Sequence, residues 1–290
     1  DYSKRDHEIV DYQFYELPEV PGVGFRGPPV DPEHLASGNY FTIIGAAQSL
    51  GVYVPEPYAN LLSEAIGLPC LNLSIGGINP GYYAANAPLL ERANHGRFVI
   101  LQVLTARVEP NDRLEPIGIA SVRDRTTGEV NIPEMMWDKL LREDRSNLPR
   151  YVEQSVASWT ECYKQLIAEL DVPVLLFYFS CKPADATTNF AAATLQEFLG
   201  PFPQFVSAKD VEQIAQTCQG YAECRSDRNA GHRLISRFTG APVQIDMGNL
   251  HPDARGTTSD THNTYYPSHE MHQDALAPLL IALKKMGLLV

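Results

Sequence analysis

Ser49 and three histidines toward the C-terminus, His262, His269 and His272, are the residues whose types could carry nucleophilic chemistry. A hydroxyl becomes a nucleophile when an imidazole within hydrogen-bond reach takes its proton. Ser49 lies in Gly45-Ala46-Ala47-Gln48-Ser49-Leu50-Gly51, directly after an apolar run, where a strand would turn into a helix. The expected catalytic pair is Ser49 with His272, and His269 and His262 are the alternative bases. A rival reading makes Ser49 a helix N-cap and His272 an ordinary core or helix-surface histidine. His269 and His272 share a helix face at i, i+3 and could ligate a metal. No third ligand is evident, so neither a metal nor any other cofactor is expected.

A second set could bind rather than react. Gln48, Asn72, Asn79, Arg107, Asn263 and Tyr266 are neutral or basic hydrogen-bonding groups, several with tyrosines beside them. Such groups suit sugar hydroxyls, and an arginine can hold a carboxylate or sulfate bidentately. Asn72, inside a strand, reads instead as a turn anchor. The segment Ser259-Asp260-Thr261-His262-Asn263-Thr264 reads as a solvated loop rather than an Asp–His pair.

The elements that must position these residues follow from apolar patterning. Runs at 40–47, 70–75, 98–104 and 172–179 read as buried strands, with a short fifth at 204–207. Residues 57–66, 82–93, 149–170, 209–216 and 270–286 read as helices, and 221–236 fits neither pattern. Residues 106–149 lack apolar periodicity and read as a long insertion with one short helix near 135–141. Strands apolar throughout, alternating with helices, predict a three-layer α/β sandwich around a parallel sheet, as in flavodoxin-like folds. Ligands then bind beyond the carboxyl ends of the strands. Residues 1–38, rich in proline and aromatics, read as an extended arm packed on a domain spanning 39–290. The arm is also a candidate contact for a homo-oligomer or an assembly partner.

A formal charge of −12 argues against a nucleic-acid partner, because phosphates require a surplus of Lys and Arg. No apolar stretch is long enough to insert in a membrane. The opening residues are polar and do not read as a secretory signal, and both a cytoplasmic and a surface- or particle-associated location fit. The five cysteines are scattered. Cys218 and Cys224 could close a loop disulfide but read rather as free thiols.

The order of blocks resembles the SGNH (GDSL-like) hydrolase superfamily. Gly45 to Gly51 resembles its first block, Leu71-Asn72-Leu73-Ser74-Ile75-Gly76-Gly77 its second, and Tyr265-Tyr266-Pro267-Ser268 part of its last. The whole chain, with Phe25-Arg26-Gly27-Pro28, looks more closely similar to an uncharacterised bacterial domain family with the same blocks. The resemblance implies an SGNH-like fold, oxyanion donors at Gly76 or Gly77, and ester chemistry. The superfamily's nucleophilic Ser aligns with Ala47, its Asn with Ala106, and its Asp and His with Asn263 and Tyr266. Two functions follow from this. One is an esterase or acyltransferase acting on O-acyl groups of a carbohydrate through a displaced Ser49. The other is an inactive, polysaccharide-binding relative.

Overall fold

The computed structural model describes residues 6–228, 231–246 and 259–289. Five strands form the central sheet: β1 (Phe41–Ile44), β2 (Cys70–Asn72), β3 (Val99–Gln102), β4 (Val174–Ser180) and β5 (Gly220–Arg225). All pair in parallel, in the order β5-β4-β3-β1-β2. Read from the other edge this is the flavodoxin-like order. Its topological switch point, where a crevice opens, lies between β1 and β3.

Side-chain alternation explains why both faces are covered. Val99, Leu101, Val174, Leu176 and Tyr178 enter one core. Ile100, Leu175, Phe177 and Phe179 enter the other. The first core is closed by helices Pro80–Ala84, Ala87–His95, Leu148–Ala168 and Ala208–Ala215. Helices Tyr58–Ile66, His269–Asp274 and Leu276–Lys285 close the second. The architecture is therefore the expected three-layer sandwich. No helix among the described residues is long and apolar enough to cross a membrane.

Residues 6–38 lie on this body. Tyr15–Leu17 and Val20–Phe25 form an antiparallel hairpin, and Tyr12 and Phe25 are buried. Arg26 is buried too, and it donates to the carbonyls of Leu50, Gly51, Val54 and Pro55 at 3.2, 3.3, 3.1 and 2.7 Å. Its guanidinium sits 5.0 Å from the Tyr12 ring centroid. The arm thereby clamps the chain that follows the β1 turn.

Several elements differ from the sequence reading. The fifth strand is Gly220–Arg225, not 204–207. The 204–207 stretch is apolar because Phe205 packs edge-on against Trp137, 4.8 Å between ring centroids. The helix expected over 82–93 is two, because Asn86 caps a new helix whose first turn holds Pro88. The closing helix is likewise divided at Ala275. The insertion holds a three-stranded antiparallel sheet (Leu114–Pro116, Val122–Asp124, Val130–Asn131) before helix Pro133–Glu143. Cys218 and Cys224 are free thiols.

Candidate functional site at the carboxyl edge of the sheet

The turn after β1 is pinned by one side-chain oxygen. Gln102 Oε1, at the end of β3, accepts the Ala46 N–H at 2.9 Å and the Ser49 hydroxyl at 2.5 Å. Ser49 Oγ also bonds the Tyr58 hydroxyl at 2.7 Å. A Cβ on Gly45 would meet both Gln102 Oε1 and Ser49 Oγ at 2.7 Å, so only glycine fits there. Ser49 is completely buried. Its hydroxyl points into the protein, and among the described residues it bonds no imidazole. Nor is it a cap: Ala46 holds the N-cap position of helix Ala47–Leu50 and makes no side-chain cap bond.

His272 is also completely buried. Its Nδ1 accepts the Tyr58 backbone N–H at 3.0 Å. Its ring stacks on Tyr58, centroids 5.7 Å apart, and meets the edge of Phe179 at 5.0 Å. Burial pushes its pKa down to about 3, with Arg26 and His269 adding to the effect. With Nδ1 already an acceptor, the proton of the neutral ring sits on Nε2, which has no partner. No basic lone pair is left for Ser49. The expected pair is thus not assembled: Tyr58 lies between its members and bonds both. His262 bonds Thr261 at 2.9 Å and His269 bonds Gln273 at 3.0 Å. No metal-holding group of three His, Cys, Asp or Glu occurs among the described residues.

What does come together at the edge is another set. A Cβ on Gly76 would lie 3.8 Å from that of Ala47, so the two face each other. Gly77 has φ +76°, and its α-hydrogen fits against Ala120 of the insertion, which a Cβ would approach to 2.5 Å. Ala47 belongs to a small apolar cluster with Tyr12, Leu50 and Tyr53, against which Tyr266 packs. Tyr266 meets Tyr53 edge-on at 5.8 Å and Tyr265 at 4.9 Å. Beside them Arg107 forms an ion pair with Glu134 at 2.6 Å. Burial opposes the Arg107 charge, yet Glu134, Tyr265 and Tyr266 hold its pKa above the usual arginine range. Its Nε carries no partner, and neither does Oε1 of Gln48 or of Gln204.

Two expected ligand-binding residues are spent on structure. Asn263 Oδ1 accepts the N–H groups of Tyr265 and Tyr266 at 3.1 and 2.9 Å, and its Nδ2 donates to the Tyr266 carbonyl at 2.9 Å. It shapes the turn that presents the two tyrosines. Asn79 caps helix Pro80–Ala84 by accepting the Tyr82 N–H at 3.0 Å. Gln102, Tyr58, Glu134, Tyr265 and Gln204 were not expected. Gln102 leaves a sequence signal as a polar residue inside an apolar strand, and Tyr265 as part of Tyr265-Tyr266-Pro267-Ser268.

A family described as a domain of unknown function, DUF6473, matches residues 1–113. No curated protein matches the chain. Among solved structures, TesA is 12% identical with a TM-score of 0.40, covering 85% of this chain and 99% of that one. A catalytic mutant of Axe2, an acetylxylan esterase from Geobacillus stearothermophilus, is 12% identical with a TM-score of 0.39, covering 87% and 95%. A family two carbohydrate esterase from Clostridium thermocellum, in complex with cellohexaose, is 10% identical with a TM-score of 0.43, covering 92% and 69%. The chain's own architecture is a five-stranded parallel sheet covered by helices on both faces.

Proposed function

We propose that this chain uses the sheet edge of an esterase-type fold to bind a saccharide, free or O-acylated, without hydrolysing it. The observation that carries this reading is the turn after β1. Ala47 faces Gly76 where an attacking oxygen would be needed, while the nearby Ser49 is sealed between Gln102 and Tyr58. Acyl transfer requires a nucleophile beside its oxyanion donors. Among the described residues the N–H groups of Gly76 and Gly77 donate to no protein acceptor, which leaves them for a ligand oxygen. Arg107 is matched by Glu134, so the site favours neutral hydroxyls over a strongly anionic group. Gln48, Tyr265 and Tyr266 supply further polar and aromatic contacts.

The test pairs a saccharide panel with a p-nitrophenyl acetate assay. Binding to neutral or acetylated oligosaccharides is expected to weaken at least about tenfold, or about 1.4 kcal/mol, in Arg107→Ala and Tyr266→Ala. Ester turnover is expected to stay at the buffer rate in every variant. Turnover that disappears in Ser49→Ala would overturn the proposal and restore the hydrolytic reading.

A further inference from the structure

Behind the edge lies a buried acid that the binding site does not use. Glu109 follows β3 and is 1% exposed. Its Oε2 accepts the Ser158 hydroxyl at 3.0 Å and faces the Cys162 thiol at 3.6 Å, and Asn79 lies beside the same carboxyl. Its Oε1 has no partner. Gly81 closes this pocket, since a Cβ there would come within 3.1 Å of Cys162 Sγ. Ser155 donates to the Glu109 main-chain carbonyl at 3.2 Å. Three elements therefore meet on one carboxyl: the turn carrying Gly76 to Asn79, the loop carrying Arg107, and helix Leu148–Ala168.

We propose that Glu109 is a proton-operated latch that closes the turn and the loop onto the long helix when protonated and releases them when ionised. The groups facing it are Asn79 from the turn and Ser158, Cys162 and Tyr163 from the helix, all uncharged. The charge beside Cys162 on that helix is Glu161, which brings no cation to the carboxyl. An ionised Glu109 would thus hold a buried charge with no cation and one oxygen without a donor, which is costly. A carboxylic acid at the same place buries no charge, with its proton on Oε1 and Oε2 left to accept. Burial pushes its pKa up to about 7, while Ser158, Cys162 and Asn79 pull weakly the other way. On release the proton goes to solvent and the carboxylate turns toward water. Asn79 lies two residues beyond Gly77, and Glu109 two beyond Arg107. Opening would therefore move both walls of the edge. The latch does not depend on what the edge binds.

Amide hydrogen exchange on the full chain tests it, corrected for intrinsic exchange and read by mass spectrometry between pH 5.5 and 8.5. In the wild-type chain the opening constants of peptides covering 74–81 and 105–111 are expected to rise by up to about tenfold per pH unit from pH 5.5 to about 7, and to level off above it. A peptide from helix Tyr58–Ile66 should not change. Glu109→Gln should abolish the rise. Infrared difference spectra of the wild type give a check that needs no variant: a buried carboxylic acid band should be present at pH 5.5 and vanish around pH 7, where the rise in exchange levels off. Flat wild-type protection, an equal rise in Glu109→Gln, or no acid band at pH 5.5 would each overturn the latch.

Discussion

Two buried groups of opposite sense should cancel in the pH dependence of stability, and removing either should expose the other. His272 has its pKa lowered from 6.5 to about 3. Between those values the unfolded chain binds a proton that the folded chain refuses. Stability therefore rises with pH, by about 1.4 kcal/mol per unit, and is fully present above 6.5. Glu109 has its pKa raised from 4.5 to about 7. Here the folded chain keeps a proton that the unfolded chain has lost. Its contribution is full below 4.5 and falls as pH rises toward 7, again by about 1.4 kcal/mol per unit. From pH 4.5 to 6.5 the two slopes oppose, and the wild type should be nearly flat. His232, whose pKa is also lowered, adds a small rise. Carboxylates with lowered pKa, such as Asp124 beside Arg113, act below this window.

Glu109→Gln should therefore gain about 2.7 kcal/mol of stability from pH 4.5 to 6.5, relative to its own value at 4.5. His272→Asn should lose about as much over the same range. Asparagine keeps an acceptor for the Tyr58 N–H without titrating, so the slope can be separated from a pH-independent loss of packing. Urea unfolding at half-unit pH steps provides the measurement. The two tryptophans, Trp137 and Trp159, are both fully buried and report it by fluorescence. Slopes in the two variants that match each other and the wild type would refute both assignments.

Other perturbations follow from the same contacts. Ser49→Ala should cost about 1–3 kcal/mol, because Tyr58 and Gln102 each lose a buried partner, and calorimetry should show the loss with no change in ester turnover. Arg26→Met should cost at least about 3 kcal/mol, since three buried carbonyls and that of the exposed Pro55 lose their donor; urea midpoints would show a smaller effect if the arm were loosely held. Gly77→Ala combines a positive φ with a clash against Ala120, and should cost about 1–3 kcal/mol while weakening saccharide binding in a titration.

How far the sequence can be read depends on how far apart the deciding contacts lie. Strands β3 and β4 announce themselves because both faces are buried, so every residue must be apolar or satisfied. Strand β5 does not, because it lies at the sheet edge and alternates Tyr221, Glu223 and Arg225 outward with Ala222 and Cys224 inward. The loss of a hydroxyl at Ala47 is legible because the turn around it is local. The fate of Ser49 is not, because its direction is set by Gln102, 53 positions away. His272 is settled at still longer range: its Nδ1 is claimed by a backbone N–H 214 positions earlier. A nucleophile and a base can be named from residue type, but their roles depend on which neighbours take their lone pairs first. Here Gln102 takes the Ser49 hydrogen, while the Tyr58 hydroxyl and N–H claim lone pairs of Ser49 and His272. Both claims come from inside the fold, which is why the two most reactive-looking residues are spent on holding the sheet edge in shape. Of the residues proposed to hold the ligand, Gly76 and Arg107 carry no oxygen nucleophile and Tyr266 offers only a phenol.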